Sequence, residues 1–122
     1  MCILWGLRKY YIYNSEQGYS TEETVKMLLK HPKIDVNAQN KLYSTALIMA
    51  SKYSNNISTE GTVKILLEYP DINVNIKNKD GDTALMVALK NLNYSSTSYT
   101  VNMLLEHKNI DINLQNYNGS TA

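Results

Sequence analysis

Two histidines, His31 and His107, are the residues of this chain best suited to acid–base work or metal binding, since imidazole does both near neutral pH. They lie 76 residues apart, twice an interval of 38 that recurs along the chain, and Tyr69 occupies the midpoint. Equivalent positions beside helix ends account for them better than a catalytic pair, because equivalents fall in a row along a stack. Asp35, Asn73 and Asp111 form a second row at the same interval. Their alternation with Asn argues against paired carboxylates and for side-chain oxygens that satisfy backbone N–H groups in a turn, and Asn37, Asn75 and Asn113 take the same reading. Cys2 is the single cysteine, which excludes an internal disulfide and a Cys-built zinc site. Glycines occur singly, so there is no phosphate cradle, and no Ser–His or Cys–His set can be assembled. The sequence therefore predicts no catalytic residue, no cofactor and no metal, and the chain reads as a non-enzyme.

The remaining chemistry is diffuse. Twelve Lys and Arg residues balance eleven Asp and Glu, for a net charge of +1, so no broad field favours nucleic acid or an anionic membrane. The apolar opening Met1 to Leu7 meets Arg8 and Lys9 too soon for a signal-peptide core or a membrane span, and an intracellular, monomeric protein is expected. Asn56-Ile57-Ser58, Asn93-Tyr94-Ser95 and Asn118-Gly119-Ser120 match the glycosylation acceptor pattern, which acts only on secreted chains, and are read as chance matches. Ten tyrosines offer contact area and a hydroxyl, with Tyr10, Tyr11 and Tyr13 crowded together and Tyr53, Tyr94 and Tyr99 further along. Covering helix ends explains them as simply as an interface does.

What positions these residues is a phrase repeated three times. Thr24-Val25-Lys26-Met27-Leu28-Leu29 leads to Ile34-Asp35-Val36-Asn37, Thr62-Val63-Lys64-Ile65-Leu66-Leu67 to Ile72-Asn73-Val74-Asn75, and Thr100-Val101-Asn102-Met103-Leu104-Leu105 to Ile110-Asp111-Ile112-Asn113. Apolar residues at i, i+3 and i+4 predict one-sided helices. Thr21 to Thr24 bring capping oxygens and negative charge to the first of them, and Pro32 and Pro70 block continuation. A second helix is predicted at Thr45 to Ala50 and at Thr83 to Ala88, with Ala at i and i+4 allowing close approach. Extended links at 36–40 and 74–78 lead into turns, of which Asp80-Gly81 is the clearest. Loops at 55–59 and 94–98 are expected to be mobile. A unit this small cannot bury its own apolar face, so the units must stack.

The pattern resembles the ankyrin repeat, with Asn78-Lys79-Asp80-Gly81-Asp82-Thr83-Ala84-Leu85-Met86-Val87-Ala88 similar to the opening of that repeat and Val63 to Asn75 similar to its close. The resemblance implies an all-α, ankyrin-like solenoid of helix pairs joined by extended β-turn links. It divides the single domain, 1–122, into a degenerate first repeat at 1–40, repeats at 41–78 and 79–116, and the start of another at 117–122. The interval of 38 exceeds the family's period of about 33. Ala46 and Ala84 stand where the family favours Pro, and Ile48 and Met86 where it favours His, so the polar bridging attributed to that His is absent. Met1 to Tyr13 fits least well and is expected to hold a degenerate helix. The last unit's apolar face, including Leu104 and Leu114, is expected to be uncovered.

Residues that recur hold the stack, and those that vary between equivalent positions are free for recognition. Lys41, Leu42, Tyr43 and Ser44 correspond to Lys79, Asp80, Gly81 and Asp82, then to Tyr117, Asn118, Gly119 and Ser120. The resemblance implies that such turn tips, with the exposed side of the inner helix, line a concave groove that binds a protein partner. Lys41, Leu42, Tyr43, Ser44, Lys79, Asp80, Asp82 and Tyr117 are the expected tip contacts, and Ile48, Met49, Lys52, Met86 and Lys90 extend them. Tyr43 stands where the other units place Gly, so the turn there either changes shape or holds strain, and strain marks function as readily as decay does. The Asn-, Ile- and Lys-rich style is similar to that of repeat proteins of large DNA viruses and intracellular parasites, which implies a host-directed scaffold. Nucleic-acid binding through Lys and Tyr is the rival reading, disfavoured by the charge balance. A substrate-recruiting role in a ubiquitin-ligase adaptor would need an F-box-like segment, and none is visible.

Overall fold

Three helices of this chain start where a threonine side chain takes over a free N–H group. The computed structural model describes residues 21–55 and 57–122. Its helices are α1 (Thr21–Leu29), α2 (Ala46–Lys52), α3 (Ile57–Glu68), α4 (Ala84–Lys90) and α5 (Ser98–Glu106). Thr45 and Thr83, expected as the first helical residues, are instead N-caps in extended conformation, and accept hydrogen bonds from Ile48 N–H at 3.2 Å and Met86 N–H at 3.4 Å. Thr97 caps α5 in the same way, accepting from Thr100 N–H at 3.3 Å.

The far ends of α1, α3 and α5 close alike despite different residues. His31 N–H donates to Leu28 C=O, Tyr69 N–H to Leu66 C=O and His107 N–H to Leu104 C=O; the chain then turns so that Ile34, Ile72 and Ile110 N–H reach back to the same three residues. Pro32 and Pro70 follow two of these ends, but α5 stops at His107 with Lys108 where the others have Pro, so proline is not what shapes the turn. The backbone bonds and the link's isoleucine, buried at Ile72 and partly buried at Ile34 and Ile110, do that.

The helices form two rows. α2 packs against α4, while α1 packs against α3 and α3 against α5; the rows meet where α2 touches α3 and α4 touches α5. Val25, Leu47, Val63, Leu66, Leu85, Leu104 and Val74 are fully buried in one continuous core between them, and Leu28 packs against its edge. Leu104 is 0% exposed, against the expectation that it would be uncovered, because α3, α4 and the link ending in Ile110 enclose it. Leu114 is half-buried.

Two expected loops are structured. Residues 57–59 belong to α3, so the loop before it is shorter than the sequence spacing suggests. The segment from Asn91 to Thr97 is tied down: Asn91 C=O accepts from Tyr94, Ser95 and Ser96 N–H, and Asn55 N–H donates to Ser95 C=O at 3.1 Å. A buried hydroxyl cluster joins it to the preceding helix pair, with Thr100 Oγ1 donating to Ser54 Oγ at 2.5 Å and Thr97 Oγ1 to Glu60 at 2.6 Å. The degenerate helix expected at Met1 to Tyr13, Cys2 and the acceptor residue Asn56 lie outside the described residues.

Candidate functional site

The links between helix pairs are built from asparagine. Asp35, Asn73 and Asp111 each accept, through Oδ1, the N–H two residues on, at 3.0, 3.0 and 2.9 Å. The next asparagine then reaches across the stack. Asn37 donates its amide to Asp71 C=O at 2.8 Å and accepts from Asn73 N–H at 2.9 Å; Asn75 repeats this with Asn109 C=O at 2.8 Å and Asp111 N–H at 3.0 Å. Each carboxamide thus matches one donor and one acceptor of a neighbouring peptide segment, which fixes register.

A second set of asparagines shapes the tips. Asn40 Oδ1 accepts from Leu42 and Ser44 N–H, Asn78 Oδ1 from Asp80 and Asp82 N–H, and Asn116 Oδ1 from Asn118 and Ser120 N–H. Successive tips are then joined by Lys79 N–H to Leu42 C=O at 2.9 Å and Tyr117 N–H to Asp80 C=O at 3.1 Å. This shape needs a left-handed residue at its third position, which Gly81 and Gly119 supply with φ of 79° and 80°. Tyr43 keeps the same turn at φ 58°, so the turn has not changed shape and local strain is held there. Its side chain is 59% exposed.

Between the two rows of tips and helices lies a groove of about 480 Å³. Leu42, Lys52, Lys79, Asp80 and Lys90, all anticipated, line it together with Met49. Asn40, Tyr53, Asn78, Val87 and Asn91 also line it and were missed; Val87 lies one turn before Lys90 on α4, and Asn91 caps the end of that helix. Lys41, Tyr43 and Tyr117 are exposed on the tips but do not line it.

Four anticipated contacts need correction. Met86 is 3% exposed and outside the groove, and Ile48, equally buried, shows it only an edge. Where the family favours His, both are core residues, because α2 and α4 pack on each other and on the outer row. Ser44 and Asp82 line the groove but are buried as parts of their turns. Asp82, 4% exposed, accepts from Lys90 Nζ at 2.6 Å and from the Asn116 amide at 3.0 Å, so its charge is matched within the protein.

His31 and His107 each use Nδ1 to accept a backbone N–H two residues on, from Lys33 and Asn109 at 3.1 Å. His107 also lines a shallower depression of about 290 Å³ between α3 and α5, with Leu67, Tyr99 and Met103. Among the described residues no group of His, Cys, Asp and Glu could hold a metal, and no helix is long and apolar enough to cross a membrane.

Two rows of helices, joined by turns that hydrogen-bond from unit to unit, are the architecture of a repeat solenoid. A family model for ankyrin repeats in three copies matches residues 12–116, and the chain belongs to the ankyrin-repeat family. Ankyrin repeats are in general protein–protein interaction modules, and proteins built from them are typically non-enzymatic scaffolds. Comparison with curated proteins gives no match.

Proposed function

We propose that this protein is an interaction scaffold, repeating at 41–78 and 79–116, that holds a protein partner in the groove between α2 and α4, with Lys41, Leu42, Tyr43, Lys79, Asp80 and Tyr117 presented on its tips. The observation that carries this reading is the groove's lining. Leu42 and Asp80, Met49 and Val87, and Tyr53 and Asn91 are lining positions that differ between equivalent units, set between Asn40 and Asn78 and between Lys52 and Lys90, which recur. Exposed Leu42 beside polar neighbours has the character of a small protein-binding patch. The host-directed setting rests on compositional style alone and adds no residue to the site. The nucleic-acid and ubiquitin-ligase readings gain no residue either; Tyr53, the one aromatic of the lining, has the Lys52 ammonium 5.3 Å above its ring.

Affinity capture from cell extract tests the assignment. Leu42→Ser and Tyr43→Gly are expected to reduce capture severalfold, while Lys64→Ser, on the exposed side of α3, leaves it unchanged. Equal capture by all four proteins removes the groove from consideration.

A further inference from the structure

Among the described residues glutamate is confined to one row of helices, which also carries Lys26 and Lys64. Every charged residue on α2 and α4 is a lysine, Lys52 and Lys90, whereas the glutamates of the described residues, Glu22, Glu23, Glu60, Glu68 and Glu106, all lie on α1, α3 and α5. Within the groove, Asp82 is already spent on Lys90 and Asn116. That leaves Asp80 as the only carboxylate of the lining without a bonding partner; Lys52 and Lys79 share the lining with it, and neither has an acidic partner among the described residues. Lys41 adds a further cation on the neighbouring tip. Lys52 rests over the Tyr53 ring, which orders its stem and leaves its charge available.

We propose that the groove takes an acidic segment of its protein partner, with an aliphatic side chain against Leu42, Met49 and Val87 and flanking carboxylates on Lys52 and Lys79. This rests on the groove being the docking face. A protein segment fits better than a nucleic acid: the apolar wall is aliphatic, Tyr53 is already engaged by a lysine, and Asp80 would repel a continuous phosphate chain. Charges placed this way act at the edge of a contact, so they set the encounter rate and the choice of partner more than the total affinity.

The test is selection from a displayed library of random peptides on the immobilised protein, followed by fluorescence anisotropy of the enriched peptides at low and high salt. The proteins compared are the wild type, Leu42→Ser, and the double variant Lys52→Gln, Lys79→Gln, each checked for folding by circular dichroism. The expected result is enrichment of Asp or Glu beside an aliphatic residue, with binding weakened roughly threefold to tenfold by the double lysine change and by added salt. Peptides without acidic residues that are weakened only by Leu42→Ser overturn the acidic segment and leave the groove standing. Peptides indifferent to both changes, or no enrichment, overturn the groove as well. A single-stranded oligonucleotide that displaces the selected peptides from the lysine sites overturns the choice of a protein partner.

Discussion

Tyr43, Gly81 and Gly119 occupy one left-handed position under three different circumstances, which makes the cost of that backbone separable from the cost of crowding. A Cβ on Gly81 would lie 2.6 Å from Tyr117 N and 2.9 Å from its ring, whereas one on Gly119 would meet nothing within 4 Å. Gly119→Ala is therefore expected to cost about 1 kcal/mol, the left-handed penalty alone, and Gly81→Ala at least about 1 kcal/mol more, because the tip joint through Tyr117 must shift. Tyr43→Gly removes strain but adds freedom to the unfolded chain, so stability should hold or rise by up to about 1 kcal/mol. Urea denaturation of the three variants checks the order. A Tyr43→Gly protein clearly less stable than the wild type would mean that the tyrosine contributes packing which its exposure does not reveal. The unusual residue at this site was legible in the sequence because its two equivalents are glycine. The burial of Ile48 and Met86 was not. Ala46 to Ala50 and Ala84 to Ala88 are apolar throughout, so periodicity cannot say which side of either helix meets solvent.

The joints between helix pairs make a similar comparison possible one level up. Asn75 bridges to Asn109 C=O and Asp111 N–H, whereas no bond to the Asn113 side chain is seen among the described residues. Asn75→Ala should cost about 1–2 kcal/mol and Asn113→Ala less than about 0.5 kcal/mol, measured by urea midpoint. Equal losses would show that these asparagines act only within their own turns. At the start of α5, Thr97→Ala removes both the N-cap and the bond to Glu60 and is expected to cost about 1 kcal/mol in the same assay. The helices themselves were readable from the i, i+3, i+4 spacing, and the Asp and Asn rows from their 38-residue recurrence. The start of α3 at Ile57 and the ordered segment from Asn91 to Thr97 were not, since Asn, Ser and Thr stand as readily in loops as at caps, and what orders them is a hydroxyl cluster between distant parts of the chain.

Along the stack, each helix pair touches only the pairs beside it, so stability is approximately a sum of units and seams. Inserting a second copy of 41–78 after residue 78 repeats the Leu42 to Lys79 tip joint and the Asn37 joint in phase. The longer protein is expected to keep its helical signal per residue and to unfold at higher urea, and a lower midpoint would show that the seams are not interchangeable. The stacking itself followed from the recurrence, but the confinement of glutamate to the α1, α3 and α5 row emerged only once the helices were assigned to rows. The asparagine joints grip peptide groups and ignore the side chains attached to them. In-frame loss or gain of a module by unequal crossing-over therefore meets no mismatch at these asparagine joints, and such a gene can alter its reach in a single event while the coding for its tips diversifies independently.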